Sequence, residues 1–195
     1  MSQDKPRIDP RILRTRKLLK DAFVDLSQEM EIEKITVNRI AERATINRVT
    51  FYLHYRDIPD MLEKMAEEMI EDIKNVLHHK PLNLDSVKDK SSWVLIKLLE
   101  HIADNAKFYK VVLGSKRTPI FTDRLHEMLS KAVTLRVEKD PFISKAGIQK
   151  DIAIWHGSAA LIGTIVAWLR NDLPYTPQYL AEQFLLLIDP SYFMD

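Results

Sequence analysis

The sequence predicts an all-α protein built as a small N-terminal helical domain and a larger C-terminal one, about nine helices in all. Apolar residues recur at three- and four-residue steps along most of the chain. No stretch alternates polar and apolar residues for long enough to make a strand. Apolar residues make up 46% of 195 positions, while Gly occurs only 4 times, a composition suited to a packed, helix-rich core.

Ile12, Leu19, Ala22, Phe23 and Leu26 mark a first amphipathic helix over about 10–30. Thr36 can cap a short helix over 37–44, which keeps Val37, Ile40, Ala41 and Ala44 on one side. Asn47 can cap another that runs to about His54. Asp57 starts a fourth, tolerates Pro59 in its first turn, and aligns Met61, Leu62, Met65, Met69, Ile73 and Val76. The segment 78–90 reads as a loop. Helices follow over 91–105, 108–113 and 119–139. After the Lys139-Asp140-Pro141 break come a long apolar helix over roughly 146–171 and a last one over 177–188. There is no internal repeat.

Composition narrows the chemistry. With no Cys there is no disulfide framework, no Cys-ligated zinc and no thiol nucleophile. MSQDKPRIDPR lacks the apolar core of a signal peptide. The greasy run 152–169, broken by His156, Gly157 and Ser158, falls short of a membrane span. The expectation is a soluble, cytoplasmic protein with no membrane partner. Charge is uneven: residues 1–57 hold twelve Lys/Arg against nine Asp/Glu, and the rest hold seventeen against nineteen. Arg7, Arg11, Arg14, Arg16, Lys17 and Lys20 cluster early and point to an anionic partner, a solvated helix face being the competing explanation.

The stretch NRVTFYLHYRD (47–57) focuses that reading. Two brief helices joined by Thr45-Ile46 have helix-turn-helix spacing, at 36–55. Small Ala41 sits where they would cross, while Ile40, Ile46 and Phe51 can pin them to the first helix. The N-terminal end of the second helix is the end that enters a major groove. There Arg48 can fork onto guanine, Asn47 can pair with adenine, and Val49 or the Thr50 methyl can meet thymine methyls. Tyr52, His54 and Arg56 would reach phosphates beside the groove, and Thr36 and Asn38 the opposite backbone.

ITVNRIAERATINRVTFYLHYRDIPDML, residues 35–62, resembles the DNA-binding domain of the TetR family of transcriptional regulators. The matching residues are the Thr36 cap, Ile40-Ala41, the turn residue Ile46, and the run Thr50 to Tyr55, with a helix at the expected distance before them. The resemblance implies an N-terminal three-helix helix-turn-helix domain over 1–57 and a helical ligand-binding and dimerisation domain over 58–195. It further implies a homodimer on a near-palindromic double-stranded DNA operator, with C-terminal helices that bind a ligand. Joined to the apolar and aromatic residues of the middle helices, this reads as a repressor released by a small apolar or aromatic effector. A regulator or activator governed by a protein partner, with no small-molecule ligand, is the alternative. Two positions depart from the family pattern: Thr45 stands where Gly is usual in the turn, and Ile58 where a Lys commonly begins the fourth helix and grips a phosphate. Arg56 is the residue placed to substitute for that grip.

The C-terminal part is less specific. Trp155, Ala159, Ile162, Gly163 and Val166, with Leu180, Phe184 and Leu187, can build the dimer bundle that the resemblance implies. Met61, Met65, Trp93, Phe108, Tyr109, Phe121, Met128 and Trp155 offer soft apolar and aromatic groups to an effector, ordinary core packing being the competing reading. His101, His126 and His156 are too dispersed for a metal, and His78-His79 point apart on a helix. No Ser-His-Asp set, phosphate loop or metal spacing argues for an enzyme, and no cofactor is expected.

Overall fold

The computed structural model describes residues 9–78, 87–114, 118–138 and 141–188, and within them the protein is all-α. The described residues form ten α-helices: α1 (Pro10–Glu29), α2 (Val37–Arg43), α3 (Arg48–His54), α4 (Ile58–His78), α5 (Val87–Asp104), α6 (Ala106–Gly114), α7 (Pro119–Val137), α8 (Pro141–Lys145), α9 (Lys150–Arg170) and α10 (Pro177–Leu187). A 3-10 turn, Ile32–Lys34, joins α1 to α2. Four of the described helices, α1, α7, α8 and α10, begin with Pro, where a missing N–H costs nothing and φ is already helical.

Packing separates the chain into one unit ending at Met65 and a second from Ala66 onward, with the division inside α4. In the first unit, Leu19, Ala22, Phe23 and Leu26 of α1 are buried, as are Ile40 and Ala41 of α2 and Phe51 of α3. The α2 helix lies against both α1 and α3. Arg43 clamps it to the end of α1 with two hydrogen bonds to the Glu29 carboxylate, at 2.7 and 2.6 Å. In the second unit α9 packs against α7 and α6, and α10 runs along α5. Its core includes Leu98, Ile102, Tyr109, Val112, Phe121, Leu125, Ile165 and Leu169.

Three boundaries differ from the sequence reading. The predicted loop 78–90 is helical at both ends: His78 closes α4, and α5 already begins at Val87. Its remaining residues, 79–86, which include His79, lie outside the described part, as does Arg7. The long helix begins at Lys150, not near 146, because α8 comes first and Gly147 turns the chain at φ +68°. The one-turn α8 was not foreseen.

Candidate DNA-reading surface

Local chemistry sets the two short helices. The Thr36 hydroxyl accepts from the Arg39 N–H at 3.4 Å at the start of α2, and the Asn47 Oδ1 accepts from the Val49 N–H at 2.8 Å at the start of α3. Between them the chain reverses in a Schellman turn. The Ile46 N–H bonds the Ala41 carbonyl and the Thr45 N–H the Glu42 carbonyl, each at 3.0 Å. This geometry requires a left-handed residue after the cap, and Thr45 supplies it at φ +56°. The turn therefore keeps the conformation that Gly adopts freely, with a β-branched residue held in it.

Phe51 fixes which face of α3 is inward. It is fully buried, with Tyr52 edge-on at 5.6 Å and Tyr55 tilted at 5.5 Å. The opposite face exposes Arg48, Val49, Tyr52 and Leu53, and Asn47 precedes it. Thr50 and His54 are half-buried beside them, and Thr36, Asn38 and Arg56 are exposed on neighbouring segments. Leu53 is 78% exposed, yet the sequence reading did not include it. The available signal was its spacing, four residues beyond Val49 on one helical face.

Two of the basic side chains have partners in the free protein. The Arg48 guanidinium lies 5.4 Å over the Tyr52 ring and donates from Nη2 to the Tyr52 hydroxyl at 3.1 Å. Arg56 is held by Asp60, on the first turn of α4. Burial first, then the positive charges of Arg16 and Lys64, lower the His54 pKa from its ordinary value, so the neutral imidazole is favoured.

In the second unit Phe108, Tyr109 and Phe121 come together. Phe108 meets Tyr109 edge-on at 5.4 Å and Phe121 at 5.8 Å. Tyr109 is almost fully buried, its hydroxyl 3.0 Å from the His101 Nε2. Burial and, secondarily, the charge of Asp72 push the Tyr109 pKa well up, which keeps the phenol neutral. Trp93 on α5 and Met128 on α7 are half-buried, whereas Met61 and Met65 are buried in the first unit. Trp155 is 64% exposed on α9 and lies outside the aromatic cluster. An open cleft of about 260 Å³ is lined by Lys110, Gly114, Leu169, Arg170 and Asp172, none of them an expected effector residue. Among the described residues no group of three or more His, Asp or Glu could hold a metal.

Contrary to the expectation for 152–169, α9 is by length and composition alone long and apolar enough to cross a membrane, because it extends over the 21 residues Lys150–Arg170; 33% of its most apolar stretch is buried. Ile152, Trp155, Ala159 and Gly163 lie exposed along it, and Val166 is half-buried. On α10, Leu187 is exposed and Leu180 half-buried. Ile162 and Phe184, also expected at a dimer seam, are buried within the protomer.

A three-helix reading head with an exposed second short helix, followed by a separate helical unit, defines a helix-turn-helix regulator. Residues 89–190 match the family model described as "Transcriptional regulator C-terminal region". The chain belongs to the TetR family of DNA-binding transcriptional regulators. It is 22% identical over 176 residues to the uncharacterized HTH-type transcriptional regulator YxbF of Bacillus subtilis, covering 90% of this chain and 45% of that protein. The chain thus spans less than half the length of that curated relative. The fold is shared with the fatty acid degradation regulator FadR from Bacillus halodurans, at a TM-score of 0.70 and 15% identity, covering 93% of this chain and 95% of that one. It is also shared with FadR from Bacillus subtilis in complex with stearoyl-CoA, at a TM-score of 0.59 and 20% identity, covering 88% and 96%.

Proposed function

We propose that the protein is a dimeric repressor. Residues 1–57 would read a near-palindromic operator, and residues 58–195 would carry the dimer seam and an effector site. The observation that carries the DNA reading is the exposed α3 face, with Arg48, Val49, Tyr52 and Leu53 side by side opposite a buried Phe51. Arg48 offers the guanine fork, Val49 and Leu53 an apolar ridge for thymine methyls, and Tyr52 a phosphate contact. The exposed stripe on α9 supports a second copy as its cover, since a large apolar surface on a water-facing helix favours association. Trp155 then belongs at the seam rather than at the effector.

For the effector we favour a molecule with a long apolar portion, an acyl chain being the model suggested by the FadR relative that holds stearoyl-CoA. The Phe108–Tyr109–Phe121 cluster would supply apolar walls, and His101 with Tyr109 a polar anchor. A specific observation favours the alternative of control by a protein partner: Phe108 packs edge-to-face on both Tyr109 and Phe121, so a ligand must part them. The test is selection of bound fragments from genomic DNA, then titration of the recovered site with long-chain acyl-CoA. The expected result is a two-fold site with half-sites about 34–36 Å apart, released by the acyl-CoA. Recovery of no DNA would refute the first proposal. Binding that no acyl-CoA or apolar compound alters would favour the protein-governed regulator.

A further inference from the structure

The strongest side-chain cluster outside the α3 face is centred on Asp60. Its side chain is only 9% exposed, whereas that of Arg56 is 85% exposed. Asp60 Oδ1 accepts from Arg56 Nε at 3.2 Å and from Nη2 at 3.1 Å, and Oδ2 accepts from the Arg56 backbone N–H at 3.0 Å. Oδ2 also accepts from Lys64 Nζ at 3.0 Å. The same ammonium donates to the His54 carbonyl at 3.1 Å, on the last residue of α3. A single carboxylate thus grips Arg56, two residues beyond the reading helix, and, through Lys64, the carbonyl of the residue that ends that helix.

Part of this arrangement is helix capping. The Asp57 Oδ1 accepts from the Asp60 N–H at 2.8 Å while Asp60 reaches back to a backbone N–H, a reciprocal cap of the capping-box kind. Capping does not account for the guanidinium. Arg has five N–H donors in a rigid fork, and Asp60 engages only the Nε and Nη2 edge. The Nη1 edge is turned away from the carboxylate on a largely exposed side chain, two residues before Ile58.

We propose that Asp60 is a positioning residue for DNA: it holds Arg56 by one edge of its guanidinium so that the other edge meets a phosphate, replacing the grip that Ile58 cannot make. This rests on the DNA-reading role proposed above. Holding the fork before binding removes rotamer freedom that a lone Arg would lose on contact. A phosphate contact of this kind is blind to sequence and adds about one unit to the salt dependence of binding.

The test uses the full chain and the DNA site recovered by selection. Affinity and its salt slope would be measured for wild type, Arg56→Ala, Asp60→Asn and the double variant, with thermal melts alongside. Arg56→Ala should weaken all sequences alike, roughly three- to tenfold, and lower the salt slope by about 1. Asp60→Asn should cost a similar factor, and the double variant should bind no worse than Arg56→Ala alone. Losses that multiply would overturn the proposal, because capping acts whether or not Arg56 has a side chain. A gain of affinity in Asp60→Asn would also overturn it, marking the carboxylate as merely repelling DNA. Should Asp60→Asn fail to fold, Arg56→Lys decides: it keeps the charge but has no fork that Asp60 can hold by one edge while the other meets a phosphate. Binding nearly as weak as in Arg56→Ala supports positioning, and wild-type affinity overturns it. Wild-type protein that retains no DNA refutes the underlying reading before any variant is made.

Discussion

Arg48 and Tyr52 form a pair on the exposed face of α3: the guanidinium sits over the ring and donates to the hydroxyl at 3.1 Å. They are one helical turn apart, so the arginine that can fork onto guanine is stacked on the residue suited to a phosphate. Replacing Arg48 with Ala should relax base preference at one position and cost roughly 1–3 kcal/mol on the preferred site. Tyr52→Phe keeps the ring beneath Arg48 but removes the hydroxyl suited to a phosphate, and since a phosphate contact carries no base information it should weaken all sequences about equally. Binding to a library of site variants checks both. Unchanged site ranking in Arg48→Ala would remove that arginine from base reading.

A second prediction concerns the turn before α3. Thr45 holds φ at +56°, and a left-handed conformation costs an L residue roughly 1–2 kcal/mol. Gly removes that cost but loses roughly 0.5–1 kcal/mol through chain entropy. Thr45→Gly should therefore stabilise the protein, by up to about 1 kcal/mol, read as a higher urea midpoint with an unchanged slope. A lower midpoint would mean that the Thr45 side chain contributes more than its strain takes away.

The reading head was largely legible because its signals are local. Thr36 and Asn47 cap the helices that they were expected to cap, and Phe51 faces inward as its spacing requires. The early start of α5 was hidden because Val87-Lys88-Asp89-Lys90 carries no apolar period, and a five-residue helix such as α8 is too short to show one. Leu53 escaped notice because polar neighbours drew the chemistry, although the burial of Phe51 turns it to solvent. On α9 periodicity could not separate seam from core. That helix is apolar nearly all round, so only the structure distinguishes exposed Trp155 from buried Ile162.

Acid stability should report the Asp60 cluster. Hydrogen bonds from the Arg56 N–H and from Lys64, in that order, lower the Asp60 pKa from 3.8 to about 2. A folded value below the unfolded one means that the ionised carboxylate favours the fold. Its contribution is complete above about pH 4 and is lost as pH falls through about 2. Melting temperatures between pH 5 and 2 should fall less steeply in Asp60→Asn than in wild type. Parallel curves would show that Asp60 has the same proton affinity in both states.

The last prediction separates a seam between copies from a contact within one. A Cβ placed on Gly163 meets nothing within 4 Å in the protomer, whereas one on Gly157 would lie 3.0 Å from the Val133 Cγ1, on α7. The two glycines of α9 thus differ in what they face. Gly157→Ala forces Val133 to shift and should destabilise the chain, by about 1–3 kcal/mol on the scale of overpacked cores, with little effect on its oligomeric state. Gly163→Glu has room within a single copy, so the protomer should fold. If α9 meets α9 of a second copy at its exposed stripe, however, each carboxylate would be buried close to its twin, and like charges without partners oppose association. Light scattering should then find Gly163→Glu monomeric with its helix content kept, and Gly157→Ala dimeric with a lower melting temperature. A Gly163→Glu protein of unchanged mass would move the seam away from this stripe, and Trp155, the most exposed large hydrophobic side chain on α9, would need another partner.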